Sequence, residues 1–212
     1  MVDRIGIFGA SGCGKSTVLR AMIETRPRVV FLDPMGEARD WKGWQTVTLA
    51  SLRRALTASP AAYRIAVEPR PGSEAADLDR VAAILRDGQR HYQRHGLGVC
   101  LAADELNLSF PTAGGAERAP AFADLCSRGR HAGVTLIGAS QRVAEVSTRF
   151  RGNLNVAVVG RVKGAADRQA AADMLDVDRN RVATLENFAF LVERGGTVKP
   201  YRTTPAGKFE PG

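Results

Sequence analysis

Gly9, Ala10, Ser11, Gly12, Cys13, Gly14, Lys15, Ser16 and Thr17 are consecutive and have the spacing of a phosphate-binding loop. The pattern is a glycine, four variable positions, then Gly-Lys-Ser. Its chemistry is anion binding. The glycines let successive backbone N–H groups turn toward one anion, and a helix starting at the lysine adds its positive dipole end. Lys15 would reach the β- and γ-phosphates of a nucleoside triphosphate, and the Ser16 hydroxyl would ligate Mg²⁺. The flanks agree, with the apolar run Ile5 to Phe8 before the loop and the helix-like Val18 to Glu24 after it. Cys13 lies inside the loop, where local positive charge would favour its thiolate. A small residue tolerated at a variable position is the simpler reading.

A second group is acidic. The apolar segment Leu97 to Ala103 reads as a strand and ends in Asp104-Glu105. Carboxylates at the carboxyl end of a buried strand sit where open α/β sheets carry ligands. Asp104 would hold Mg²⁺ through its water shell, and Glu105 would polarise the attacking water. The apolar segment Val134 to Ala139 ends in Ser140-Gln141-Arg142, and Gln141 could bond both the γ-phosphate and the water. At the opposite end of that segment stand Arg128 and Arg130. They are badly placed for their own nucleotide but suited to a neighbour's, as arginine fingers.

The elements that must position these groups alternate between apolar runs and helix-like segments, the pattern of a mostly parallel α/β sheet with helices on both faces. Predicted strands are Arg4–Phe8, Val29–Asp33, Gln45–Leu49, Tyr63–Glu68, Leu97–Ala103, Val134–Ala139 and Asn155–Val162. A final pair, around Phe188–Glu193 and Thr197–Tyr201, is joined by Gly195-Gly196, a C-terminal β-hairpin signal. Predicted helices are Lys15–Thr25, Ser51–Thr57, Ser73–His95, Pro120–His131, Glu145–Phe150 and Ala165–Leu175. Asn107–Ala119 reads as a mobile loop and 204–212 as a flexible tail, leaving 1–203 as one domain.

Composition limits the partners. Of 212 residues, 30 are Lys or Arg and 22 Asp or Glu, a net charge of +8 that favours polyanions. Most of the positive charge is arginine. Three cysteines without C-x-x-C spacing argue against a disulfide framework or zinc site, and fit a reducing compartment. No apolar stretch is long enough to span a bilayer, and no leader is expected before the first strand, so a cytoplasmic location is expected. His91 and His95 read as a solvated helix face rather than metal ligands. Trp41 and Trp44 read as half-buried indoles in a turn leading into a strand. An N-K-x-D guanine motif and an L-S-G-G-Q signature are both missing, which argues against a small GTPase and an ABC-type ATPase.

From Arg128 to Arg142, with Arg149 to Asn153, Asp104-Glu105 and Leu32-Asp33-Pro34, the sequence resembles the FtsK–HerA superfamily of DNA-pumping ATPases. The resemblance runs from about Arg4 to Tyr201. It implies a RecA-like (ASCE) P-loop core, usually hexameric, that threads double-stranded DNA through a central pore. It also implies ATP and Mg²⁺ on Lys15, Ser16 and Asp104, Thr17 near the α-phosphate, Glu105 as catalytic base and Gln141 as phosphate sensor. Arg130, with Arg128 second, matches the trans-acting arginine. The membrane helices, winged helix, N-terminal barrel and all-α insert of other members have no counterpart here. The compact core that remains resembles the genome-packaging ATPases of membrane-containing double-jelly-roll viruses, and the arginine-rich composition suits a phage.

The expectation is therefore an ATP-driven translocase of double-stranded DNA, a ring-forming homo-oligomer that packages a viral genome, with capsid vertex proteins as further partners. Six copies would carry roughly +48, enough to hold phosphate backbone without reading bases. The rivals are a HerA-like DNA-processing ATPase, a P-loop small-molecule kinase and an assembly protein that only locks a ring with ATP. Arg118 in the 107–119 segment, and Arg142, Arg149 and Arg151, are candidates for DNA or subunit contact.

Overall fold

The computed structural model describes residues 2–212. Among them, one sheet takes up ten strands: β1 (Arg4–Phe8), β2 (Arg28–Leu32), β3 (Gln45–Val47), β4 (Tyr63–Val67), β5 (Val99–Ala103), β6 (Val134–Ser140), β7 (Val156–Val159), β8 (Ala189–Arg194), β9 (Thr197–Thr203) and β10 (Phe209–Pro211). Their order is β10-β9-β8-β7-β1-β6-β5-β2-β4-β3. From β7 across to β3 every pairing is parallel. The β8–β9 hairpin and β10 close the other edge antiparallel.

The central strands are apolar because both faces are covered. All residues of β1, β5, β6 and β7 are buried. One face carries helix α1 (Lys15–Glu24), whose Val18, Leu19 and Ile23 pack with Ile5, Ile7, Phe31, Cys100 and Ile137. The other face carries the helices Glu74–Gly88, Pro120–Arg128 and Ala165–Leu175, with Phe8, Leu32, Leu101 and Leu136 beneath them. On that face Gly138 lets the sheet approach its cover closely. A Cβ there would lie 2.5 Å from Leu106 Cδ2 and 2.7 Å from Phe150 Cζ. We expect Gly138→Ala to lower the unfolding free energy by about 1–3 kcal/mol through overpacking, measured by urea titration. An unchanged midpoint would mean the cover yields.

Some expected elements differ. The segment expected as one helix over Ser73–His95 breaks into Glu74–Gly88 and Tyr92–His95. At the break Gln89 is buried, and its side-chain amide donates to the Leu97 carbonyl at 2.8 Å. The expected 107–119 loop instead contains the short helices Leu106–Ser109 and Gly115–Arg118, with Phe110 wholly buried between them. Residues 204–212, expected as a flexible tail, contribute the edge strand β10, where Phe209 stacks on Tyr201 at 5.0 Å between centroids. The helix Arg179–Ala183 was not foreseen.

Candidate nucleotide-hydrolysis site

The carboxyl ends of β1, β6 and β5 lie side by side, so the segments that follow them meet at one edge of the sheet. The phosphate-binding loop follows β1. Its end is set by Gly14, the residue before α1, at φ 96°, ψ 11°, a left-handed conformation open to glycine. A side chain there would also strike Thr203 Oγ1, 2.8 Å from the Cβ position. No side chain caps α1, and its first-turn N–H groups have no helical carbonyl to meet. These are the N–H groups that the sequence assigns to an anion cradle.

Lys15 is buried and points at the end of β5. Its Nζ lies 2.8 Å from Asp104 Oδ1 and 3.5 Å from Glu105 Oε1. Burial alone would pull the Lys15 pKa down, but the charge and hydrogen bond of Asp104, with Glu105 behind, outweigh it and leave it raised. The lysine therefore stays cationic, held by the two carboxylates. Glu105 sits at φ 44°, uncommon for a residue with a side chain. Its backbone N–H donates to Asp104 Oδ1 at 2.8 Å. Gln141, just beyond β6, donates from Nε2 to Glu105 Oε1 at 2.7 Å. The turn carrying Gln141 is fixed by Ser140, whose Oγ donates to Asn107 Oδ1 at 2.8 Å and accepts the Arg142 N–H at 3.0 Å. Lys15, Asp104, Glu105 and Gln141 thus form one connected cluster across three strand ends.

Two carboxylates not singled out by the sequence reading as site residues join it. Ser16 Oγ donates to Glu37 Oε1 at 3.4 Å. The Glu37 pKa is raised, first by burial and then by the charges of Asp104 and Asp33. Asp33 is buried, with Oδ2 accepting the Ala38 N–H at 2.8 Å and Oδ1 without a hydrogen-bond partner. Asp104, Glu105 and Glu37 lie around one lysine, an excess of negative charge that a divalent cation would relieve. Hydroxyl and carboxylate oxygens are the donors Mg²⁺ takes, alongside nucleotide phosphates and water. Among the described residues no group of three or more His, Cys, Asp or Glu is placed to hold an ion by itself. The donor set fits Mg²⁺. A cleft of about 450 Å³ lined by Ser16, Thr17, Arg20, Glu37 and Trp41 opens beside it.

Cys13 is buried, and burial raises its pKa against the opposing pull of the Lys15 and Arg161 charges. That removes the activated-thiol reading and leaves the small-residue one. Arg128 and Arg130 are both exposed, and Arg128 Nε lies 3.4 Å from Asp124 Oδ1. Arg130 precedes β6 at the end away from Gln141, so about 20 Å of strand separates it from its own site. Of the arginines considered for DNA or subunit contact, Arg142 is engaged within the chain, at 2.9 Å from both buried Asp167 and Glu145. Arg151 donates to the Val146 carbonyl, and Arg118 to the Gly114 and Ala113 carbonyls.

No protein-family model matches the sequence, and no curated protein does. Solved structures do. The genome-packaging NTPase B204 from Sulfolobus turreted icosahedral virus 2, in complex with ATP-gammaS, matches with TM-score 0.73 at 17% identity, over 93% of this chain and 96% of that one. VirB4 of Thermoanaerobacter pseudethanolicus matches with TM-score 0.68 at 12% identity, over 96% and 90%. The bacterial conjugative coupling protein TrwBdeltaN70 matches with TM-score 0.67 at 11% identity, over 93% and 83%. The Gly9–Thr17 loop therefore sits in a sheet whose strands and cover follow the plan of these solved structures, and the likeness is one of fold.

Proposed function

We propose that this protein is an ATP-driven translocase of double-stranded DNA that works as a ring, a hexamer, and packages a viral genome. The observation that carries the reading is the cluster of Lys15, Asp104, Glu105 and Gln141 at adjoining strand ends, in a fold similar to that of a genome-packaging NTPase. A small-molecule kinase would need an acceptor site, whereas on this reading Glu105 serves water as its base.

In the mechanism, the loop from Gly9 to Thr17 cradles the phosphates, and Lys15 leaves Asp104 for the β- and γ-phosphates. Ser16 and Asp104 would hold Mg²⁺, which would neutralise charge on the phosphates. Glu105 orients the water and takes its proton. Gln141, bonded to Glu105, senses loss of the γ-phosphate and relays it along β6. Arg130 of a neighbouring subunit, or Arg128, stabilises the developing charge. Capsid vertex proteins would receive the ring, in the host cytoplasm or on the virion. No helix among the described residues is long and apolar enough to cross a membrane. The likeness to VirB4 and TrwBdeltaN70 supports a second reading, a HerA-like motor in DNA processing or transport without a capsid.

The test is ATP turnover with and without duplex DNA. Stimulation by duplex is the expected result; turnover indifferent to DNA but responsive to a nucleoside or metabolite would replace the motor with a kinase. DNA affinity should also fall by about 10³-fold or more between roughly 50 and 200 mM salt if six or more phosphates are contacted. A flat salt response would remove the electrostatic grip. Co-sedimentation with capsid vertex protein separates packaging from the capsid-free motor.

A further inference from the structure

The hydrolytic groups lie on the β6–β5 side of the phosphate-binding loop. A nucleoside triphosphate with its γ-phosphate against them extends its ribose and base the other way, toward β7 and β8. On that side one residue stands apart. Phe188, immediately before β8, is a large apolar side chain left 53% exposed, while Phe190, two residues on, is buried in the core. Phe188 also adopts φ 68°, a genuine outlier for a bulky side chain.

The backbone of Phe188 is pinned on both sides. Its N–H donates to the Cys13 carbonyl within the phosphate-binding loop at 3.0 Å, and its carbonyl accepts the Thr203 N–H at 2.9 Å. The ring edge lies over the end of the loop, with Cδ1 3.1 Å from the position a Gly14 Cβ would take. Next to it, Arg161 donates from Nε to Asn187 Oδ1 at 2.7 Å, and the Arg161 carbonyl accepts the Ala10 N–H at 2.7 Å. An exposed aromatic ring in a strained conformation, tied through its own backbone to the phosphate cradle, has no role in the core to account for it. Strain of this kind gathers at ligand clamps.

The other aromatic beside the site is already engaged. Trp41 stacks on Phe31 at 5.6 Å with the rings 4° from parallel, and Arg20 lies over it at 5.0 Å. Among the described residues, Phe188 is thus the exposed aromatic beside the phosphate-binding loop on the side toward β7 and β8.

We propose that Phe188 is the stacking platform for the nucleobase of the bound nucleotide, with Arg161 and Asn187 flanking the base. The proposal rests on the ATP-binding reading above. Stacking accepts any π-face, so the platform adds affinity without choosing adenine over guanine.

The test compares ATP with tripolyphosphate, which has the phosphates and no base, by calorimetric titration with MgCl₂ present. Wild type should bind ATP more tightly than tripolyphosphate. Phe188→Ala should weaken ATP and ADP about tenfold or more and leave tripolyphosphate unchanged, and Phe188→Tyr should restore ATP. Phe188→Asn, which tolerates positive φ, should lose ATP affinity like the alanine variant while melting no lower than wild type, which separates lost stacking from lost fold. Wild-type ATP affinity in Phe188→Ala, or an equal loss toward ATP and tripolyphosphate, would overturn the platform. Equal binding of both ligands by wild type would overturn it too. If wild type binds neither, the ATP-binding reading falls and takes the platform with it.

Discussion

Changing Glu105 to glutamine should cut ATP hydrolysis by at least about a hundredfold, the lower range for loss of a positioned general base, while ATP stays bound. The substitution keeps the geometry. The Oε1 that accepts from Gln141 Nε2 at 2.7 Å and faces Lys15 Nζ at 3.5 Å is still an acceptor in the amide. The Glu105 backbone N–H still meets Asp104 Oδ1. What is lost is the basicity that takes a proton from water. Lys15 keeps its stronger partner Asp104 at 2.8 Å, so the buried ammonium is not stranded. The readouts are single-turnover hydrolysis and ATP affinity by titration. Duplex binding should persist, because the phosphate grip does not involve this carboxylate. Hydrolysis at the wild-type rate would take Glu105 out of the chemistry and leave the cluster as a structural ion network. Loss of ATP binding along with hydrolysis would assign it to ligand retention.

The grouping of the candidate site's residues was legible where it depends on local spacing. A Gly-Lys-Ser turn between strand and helix needs no tertiary information, and Asp104-Glu105 announces itself by ending an apolar run. The parallel sheet was legible for the same reason: strands buried on both faces show as continuous apolar runs. Glu37 was not. It approaches Ser16 only because β2 pairs with β5 in parallel register, from Val29 with Cys100 to Leu32 with Ala103, which brings the segment after β2 beside the segment after β5. The signal available was an acidic residue just past the strand that adjoins Asp104. Phe188 read as the first residue of a strand. Its positive φ follows from hydrogen bonds to Cys13 and Thr203, which are far apart in sequence.

The boundary errors share a physical cause. Apolar spacing continues past Gly88 to Tyr92, so the pattern predicts one helix, yet the buried amide of Gln89 reaching Leu97 ends it. Glycines and prolines made 107–119 and 204–212 look unstructured. In each a single aromatic ring finds a place that composition does not reveal: Phe110 against Phe122 at 4.9 Å, and Phe209 against Tyr201 and Phe190. Arg142, offered for DNA or subunit contact, has a tie within the chain that spacing did not reveal: buried Asp167 accepts from it and from the Ala144 N–H.

Arg130→Ala should abolish steady-state hydrolysis, by about 10³-fold or more if it acts as an arginine finger, and leave ATP affinity nearly unchanged. The length of β6 motivates this. Its seven residues, Val134–Ser140, carry the chain from Arg130 at one end to Gln141 at the other, far beyond the reach of an arginine side chain. Any catalytic role must therefore be played in a neighbour's site. Mixing supplies the decisive readout. An Arg130→Ala subunit keeps its own loop and base but lacks a finger to give; a Glu105→Gln subunit keeps the finger but lacks the base. Neither should turn over alone. Mixed in equal amounts, they should recover about a quarter of wild-type turnover if copies alternate at random round a ring of heterologous seams. The quarter arises because only a seam with Arg130→Ala supplying the loop and Glu105→Gln the finger is complete. Glu105→Gln is the better partner than Lys15→Ala, which would leave buried Asp104 without its cation and risk the fold. Recovery would place the site between subunits. Full activity in Arg130→Ala alone would move the role to Arg128 or dispense with it, and an inactive mixture would remove the shared seam on which a ring motor depends.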